Sequence, residues 1–248
     1  MASTKEIKDR IESVRETQKI TNAMYLISST KLRRAREDLA HTRPYFEALR
    51  GEIKRIFRTS SDIHSRYFYP PHEDDIKGGP YACLVITADK GLAGAYNQNA
   101  VKETMRVLAD HPGTKLFVVG EYGRHYFNQH HIPIEQSFLY TAQNPTLQRA
   151  REISSILLEG FNAGQWKKIY IVYTDMASSL ASAAQSTRLL PFHRAHFAST
   201  EEDHSSDSFE FMPDMVTVLD NMIESYISGF IYSALIDSFC SEQNARMT

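Results

Sequence analysis

Two cysteines in 248 residues, Cys83 and Cys240, are too few and too widely spaced for a disulfide framework. Both stand in segments that read as buried, which suits a reducing compartment. No stretch reaches 18 apolar residues, and the N-terminus shows no signal-peptide core. The chain therefore reads as cytosolic in its own chemistry, with any membrane association coming through partners. The phosphate-cradling patterns G-x-G-x-x-G and G-x-x-x-x-G-K-[ST] are missing, and so is the G-x-S-x-G elbow of serine hydrolases. Ten histidines invite a metal reading, but His125, His130 and His131 lack i, i+3 or i, i+4 spacing, and only Glu121 is near them; His193 and His196 stand far away. Surface histidines explain them better, and neither a cofactor nor a metal is expected. A strong net charge is lacking too, at −2, while 42% hydrophobic and 23% charged residues describe one compact domain plus an extension.

What is present is a 4-3 apolar rhythm from residue 3 to 57. It runs through Ile7, Ile11, Val14, Gln18, Thr21, Tyr25, Ser28, Leu32, Ala35, Leu39, Thr42, Phe46, Leu49, Ile53 and Ile56. A 3.5-residue repeat keeps one seam toward a partner helix along its whole length. At 1.5 Å per residue such a helix spans roughly 80 Å, more than a core of this size can cover. It must project. Gln18, Thr21 and Ser28 dilute the middle of the seam, and polar seam positions fix register or leave a face free. Pro44 predicts a kink near residues 40 to 44.

Charge is distributed unevenly. Residues 1–58 hold 14 Lys and Arg against 8 Asp and Glu, whereas residues 199–248 hold Arg246 alone against 10 acidic residues. A basic first helix and an acidic last segment are suited to lie together. The cluster Lys31, Arg33, Arg34 and Arg36 has no aromatic platform and is interleaved with acidic residues, so it reads as a solvated or protein-facing helix face and not as a nucleic-acid site.

Between the ends the pattern alternates. Strands are expected at 81–88, 115–120 and 168–174, with a fourth, on an edge, at 182–192. Helices are expected at 98–109, 121–131 and 145–162. This is a small parallel α/β domain. KGLAGAYN, after the first strand, sits where phosphate loops sit, but Gly91 and Gly94 read as a tight strand-to-helix turn, with Asp89 and Lys90 as a local turn pair. From Pro213 a last helix carries a wide apolar stripe suited to the first helix and the domain together. The resulting division is 1–58 shaft helix, 59–80 connector, 81–197 α/β domain, 198–212 polar linker and 213–248 shaft helix. If the last helix starts beside residue 58, it ends opposite roughly residue 23. Residues 1–23 then have apolar heptads and no partner within the chain.

Four segments, KEIKDRIESVRETQKITNAMYLISSTKLRRA (5–35), ITADKGLAGAYNQN (86–99), VYTDMASSLASAA (172–184) and IYSALIDSFCSEQNARMT (231–248), resemble the γ subunit of bacterial F-type ATP synthase, and the resemblance runs from Met1 to Thr248. It implies an α/β fold class: a long antiparallel coiled coil of the terminal helices plus a central Rossmann-like parallel domain. It implies a rotor shaft without an active site, turned by the membrane c ring inside a ring of α and β subunits, with ε beside the α/β domain, at the cytoplasmic face of the cell membrane. Carried onto this chain, Thr17, Gln18, Lys19, Ile20, Thr21, Met24, Lys31, Arg33, Arg34 and Arg246 would face the α/β ring. Ile7, Ile11, Val14, Leu32, Leu39, Leu235 and Phe239 would pair the shaft helices. Family members usually continue past Thr248, so the expectation is a fragment. Two other readings remain in view, a coiled-coil adaptor that dimerises through residues 3–57 and a Rossmann-like enzyme.

Overall fold

The computed structural model describes residues 4–59, 64–69, 79–176, 182–193, 197 and 211–248. Most of the expected connector, and the polar linker up to residue 210, lie outside them. The first helix, α1, is Thr4–Thr59, about 84 Å long at 1.5 Å per residue. It passes through Pro44 without a break. The helix continues on both sides because a proline removes one helical hydrogen bond and the turns on either side still hold theirs.

The α/β domain follows as β1 (Tyr81–Ile86), α2 (Tyr96–Asp110), β2 (Lys115–Val119), α3 (Glu121–Gln129), β3 (Ile134–Phe138), α4 (Leu147–Asn162), β4 (Lys168–Met176) and β5 (Ser182–Leu190). The sheet order is β3-β2-β1-β4-β5. Its first four strands are parallel and β5 is antiparallel, paired from Ile169↔Leu190 to Met176↔Ser182. The expected all-parallel sheet is thus mixed. β5 is the edge strand its sequence suggested, and it stops before Pro191, which has no N–H for a ladder. β3, with the sequence IEQSF, is an addition that the periodicity did not signal.

Alternation along the strands sorts the core into two faces. Cys83, Val85, Leu116, Val118 and Val172 meet Val101, Val107 and Phe127 of α2 and α3. Leu84, Ile86, Phe117, Val119, Ile169 and Ile171 face the other way, with α4 and the last helix, α5 (Met215–Met247). α1 packs outside α5. Each fully buried Leu, Ile or Phe in such a layer stabilises by about 1.5–3 kcal/mol. Both cysteines are buried and free, and burial pushes their thiols up, to about 12 for Cys83 and about 11 for Cys240. Among the described residues, no helix is long and apolar enough to cross a membrane.

Candidate functional site

The candidate site is the helix pair and its junction with the sheet. α1 and α5 run antiparallel, because contacts step down one helix as they step up the other. Arg50 acts on Tyr226, Phe46 lies on Gly229, Thr42 faces Tyr232, Arg36 acts on Cys240 and Lys31 on Glu242. The partners' numbers total about 275, which sets Thr248 opposite about residue 27. Sequence counting placed that end opposite residue 23. N-terminal to this point α1 has no α5 beside it.

The expected pairing residues divide at that boundary. Leu235 and Phe239 are buried, with Leu32 and Leu39 packed against the same core. Ile7, Ile11 and Val14 are 51, 48 and 62% exposed. They form no part of the pairing inside this chain, since α5 does not reach them. The expected ring-facing residues Thr17, Gln18, Lys19, Ile20 and Thr21 are exposed, as are Lys31, Arg33 and Arg34. Two threonine hydroxyls of this stretch are satisfied locally, for Thr17 Oγ1 donates to Ser13 O and Thr21 Oγ1 to Thr17 O, each at 2.9 Å. A helix that meets its own side-chain hydrogen bonds needs no fixed polar partner there.

Met24 is half-buried and lines a cavity of about 160 Å³ with Ile27, Ser28, Lys31, Asp89, Lys90, Phe239, Glu242 and Arg246. Arg246 turns inward here. Its guanidinium donates to Glu242 Oε1 at 2.7 and 2.9 Å and to Lys90 O at 3.2 Å, leaving the side chain 13% exposed. Burial raises the Glu242 carboxyl above the ordinary range and Arg246 opposes the rise. The β1–α2 loop below is held tightly. Asn97 Oδ1 accepts from Ala88 N at 2.9 Å, and Asp89 Oδ1 accepts from Glu121 N at 3.0 Å, at the start of α3. Asp89 thus joins the turn to α3, and the expected pairing with Lys90 is not what holds it. Gly120 at φ +96° lies so close to Thr87 that a Cβ would sit 2.2 Å from Thr87 O.

Sequence reasoning missed Thr174 and Ser238. Thr174 N donates to Ser238 Oγ at 3.1 Å, and Ser241 Oγ donates to Thr174 O at 3.4 Å. The available signal was a pair of hydroxyls, one turn apart, on the apolar face of α5.

These features define a class: a three-layer α/β domain carried on an antiparallel pair of long helices. A sequence model of the family described as ATP synthase matches residues 3–248. The ATP synthase gamma chain of Acetivibrio thermocellus is 37% identical over 254 residues, covering 100% of this chain and 85% of its own. That of Ruminiclostridium cellulolyticum is 38% identical, covering 98% and 84%. The central stalk and c-ring structure of Tetrahymena thermophila mitochondrial ATP synthase contains a chain with the same fold, at TM-score 0.62 and 21% identity, covering 92% of this chain and 96% of that one. The chain belongs to the ATP synthase gamma chain family.

Proposed function

We propose that this chain is the central rotor shaft of an F-type ATP synthase, coupling rotation of a membrane c ring to conformational change at catalytic sites on a surrounding α/β ring. The observation that carries this reading is the antiparallel pair of α1 and α5 with the α/β domain packed on α5, in a chain whose residues 3–248 match the ATP synthase family. Thr17 and Thr21, whose hydroxyls bond within α1, suit a helix that turns against changing partners. On this reading the chain is a non-catalytic subunit, and the chemistry of ATP belongs to the ring.

The mechanism is population shift. Each orientation of an asymmetric shaft makes different contacts with each catalytic subunit and favours a different conformation there. Thr17 to Thr21 and Met24 would supply the upper contacts, and Lys31, Arg33 and Arg34 would meet acidic groups below. Arg246 is better assigned to the inside of the rotor, given its bonds to Glu242 and Lys90. ε and the c ring would bind the α/β domain, so membrane association at the cytoplasmic face is peripheral and indirect. The two helices would form a coiled coil along residues 27 to 56.

The test is coexpression with cognate α and β subunits, with a native mass spectrum and an ATPase assay on one sample. One copy per three α and three β, with hydrolysis above that of the shaft-free ring, is expected. A homodimer through residues 3–57 that ignores the ring would overturn the reading in favour of an adaptor.

A further inference from the structure

Open α/β sheets bind ligands in the crevice beyond the carboxyl ends of their strands, where the strand order reverses. In the order β3-β2-β1-β4-β5 that reversal falls between β1 and β4. Their ladder ends at Val85↔Val172, leaving β4 main-chain groups beyond it to find partners elsewhere. α5 supplies them. Ser238, with none of its surface exposed, accepts from Thr174 N, while Ser241 donates to Thr174 O. On the β1 side, Arg246, fixed by Glu242, donates to Lys90 O. Tyr96, the first residue of α2, is buried beside the same stretch of α5. Positions 238, 241, 242 and 246 form one stripe of α5. The crevice that holds a ligand in other folds of this kind is filled here by the protein's own shaft.

We propose that this stripe is the torque joint of the rotor, the point where the α/β domain is fixed rotationally to the shaft. The proposal rests on the rotor reading above. Apolar packing of a helix on a sheet is strong but weakly directional, so a twisting load lets the helix slide or roll over a ridge. Hydrogen bonds to both main-chain groups of a single strand residue, and to a loop carbonyl one strand away, set the helix's rotation and its height together. Ser238, Ser241 and Arg246 are therefore positioning residues for coupling.

The experiment uses the complete synthase in membrane vesicles, carrying Ser238→Ala with Ser241→Ala, and compares ATP hydrolysed with ions pumped. Hydrolysis within about twofold of wild type, with ions pumped per ATP reduced about threefold or more, is expected. Amide exchange at Thr174 should quicken in the same complex. A control, Ser228→Ala, removes the 2.7 Å hydroxyl pair between α5 and Ser154 of α4, away from the crevice. It should leave ions per ATP unchanged, separating a joint from general loosening. If the double variant fails to assemble, Ser241→Ala alone, which keeps the Ser238 bond, should give a smaller loss of the same kind. Unchanged ions per ATP in the double variant, or in the single variant where only that assembles, overturns the joint while leaving the rotor reading intact. A wild-type complex that hydrolyses ATP without pumping would overturn the rotor reading itself.

Discussion

Gly229 lies in the middle of α5 with the ring of Phe46 from α1 upon it. A Cβ there would stand 2.1 Å from Phe46 Cδ1, 2.3 Å from Cε1 and 2.6 Å from Cγ. Helix propensity alone makes Gly229→Ala stabilising by about 1 kcal/mol. Packing says the opposite. Because Cγ is among the clashing atoms, rotating the ring does not clear the space, and Phe46 is 9% exposed with Tyr45 edge-on at 5.2 Å. The helices must separate, which puts the cost near the top of the 1–3 kcal/mol expected for overpacking. The net effect should be destabilisation of about 2 kcal/mol. Phe46→Ala by itself should cost about 3 kcal/mol. In that background the space is empty, so Gly229→Ala should stabilise by about 0.5–1 kcal/mol. The four proteins form a cycle with about 3 kcal/mol of coupling, readable from urea unfolding followed by far-UV circular dichroism. Equal effects of Gly229→Ala in both backgrounds, or a gain in the wild-type background, would refute the close approach of the two helices at this point.

Burial pushes the Asp237 carboxyl up to about 6, the charge of Asp175 adds to the rise and Arg43 opposes it. With its folded value above the ordinary 3.8, the folded state holds this proton more tightly. Stability tied to it is present below pH 4 and lost as pH rises to about 6, with an upper bound of about 3 kcal/mol. Asp237→Asn should therefore stabilise the protein at pH 7.5 and have little effect at pH 4; equal gains at both pH values would contradict the assignment. Ile11→Ser with Val14→Ser should leave the isolated chain within about 0.5 kcal/mol of wild type while weakening capture by the α/β ring, since both side chains are about half exposed or more. Gly160→Ala would bring a Cβ to 2.0 Å from the Trp166 ring, whose indole donates to Leu157 O at 2.9 Å. Its tryptophan emission should shift red as the ring is displaced, and an unchanged spectrum would refute the contact.

Heptad reading reached the first helix closely, because a 3.5-residue repeat over 56 residues is a long signal with little competition. The three inner strands were legible for a related reason. Strands covered on both faces read as continuous apolar runs, as in YACLVI and KLFVV. β3 has no such run, since it lies at an edge with Glu135 and Gln136 exposed. The direction of β5 was also out of reach. Only its register against β4 sets that direction, and a strand of mostly half-buried small and polar residues does not encode it alone. The family resemblance implied an Arg246 that faces the surrounding ring. Its inward turn depends on Glu242 one turn earlier and on a carbonyl 156 residues away, and a single sequence does not reveal the second.

α5 explains why shaft and domain are read so differently in the sequence. α1 shows one apolar seam because α5 is its main neighbour and most of the rest of its surface meets water. α5 shows apolar residues nearly all round, since Ile227, Ile231, Leu235 and Phe239 are buried together with Leu219, Ile223, Ala234, Ile236 and Cys240. It lies between α1 on one side and β4 and α4 on the other. A helix buried on several sides loses the periodicity that would reveal its orientation, so its few polar residues carry that information. Ser228, Ser238, Ser241 and Glu242 are each 8% exposed or less, and each is bonded to a residue of another element or to the arginine that is. Buried polar groups must find partners, and when those partners are main-chain atoms of a strand only one rotation of the helix satisfies them. The same requirement that keeps these residues from being costly therefore fixes α5 to the sheet, and α1, whose main neighbour is α5, takes its orientation chiefly from that contact.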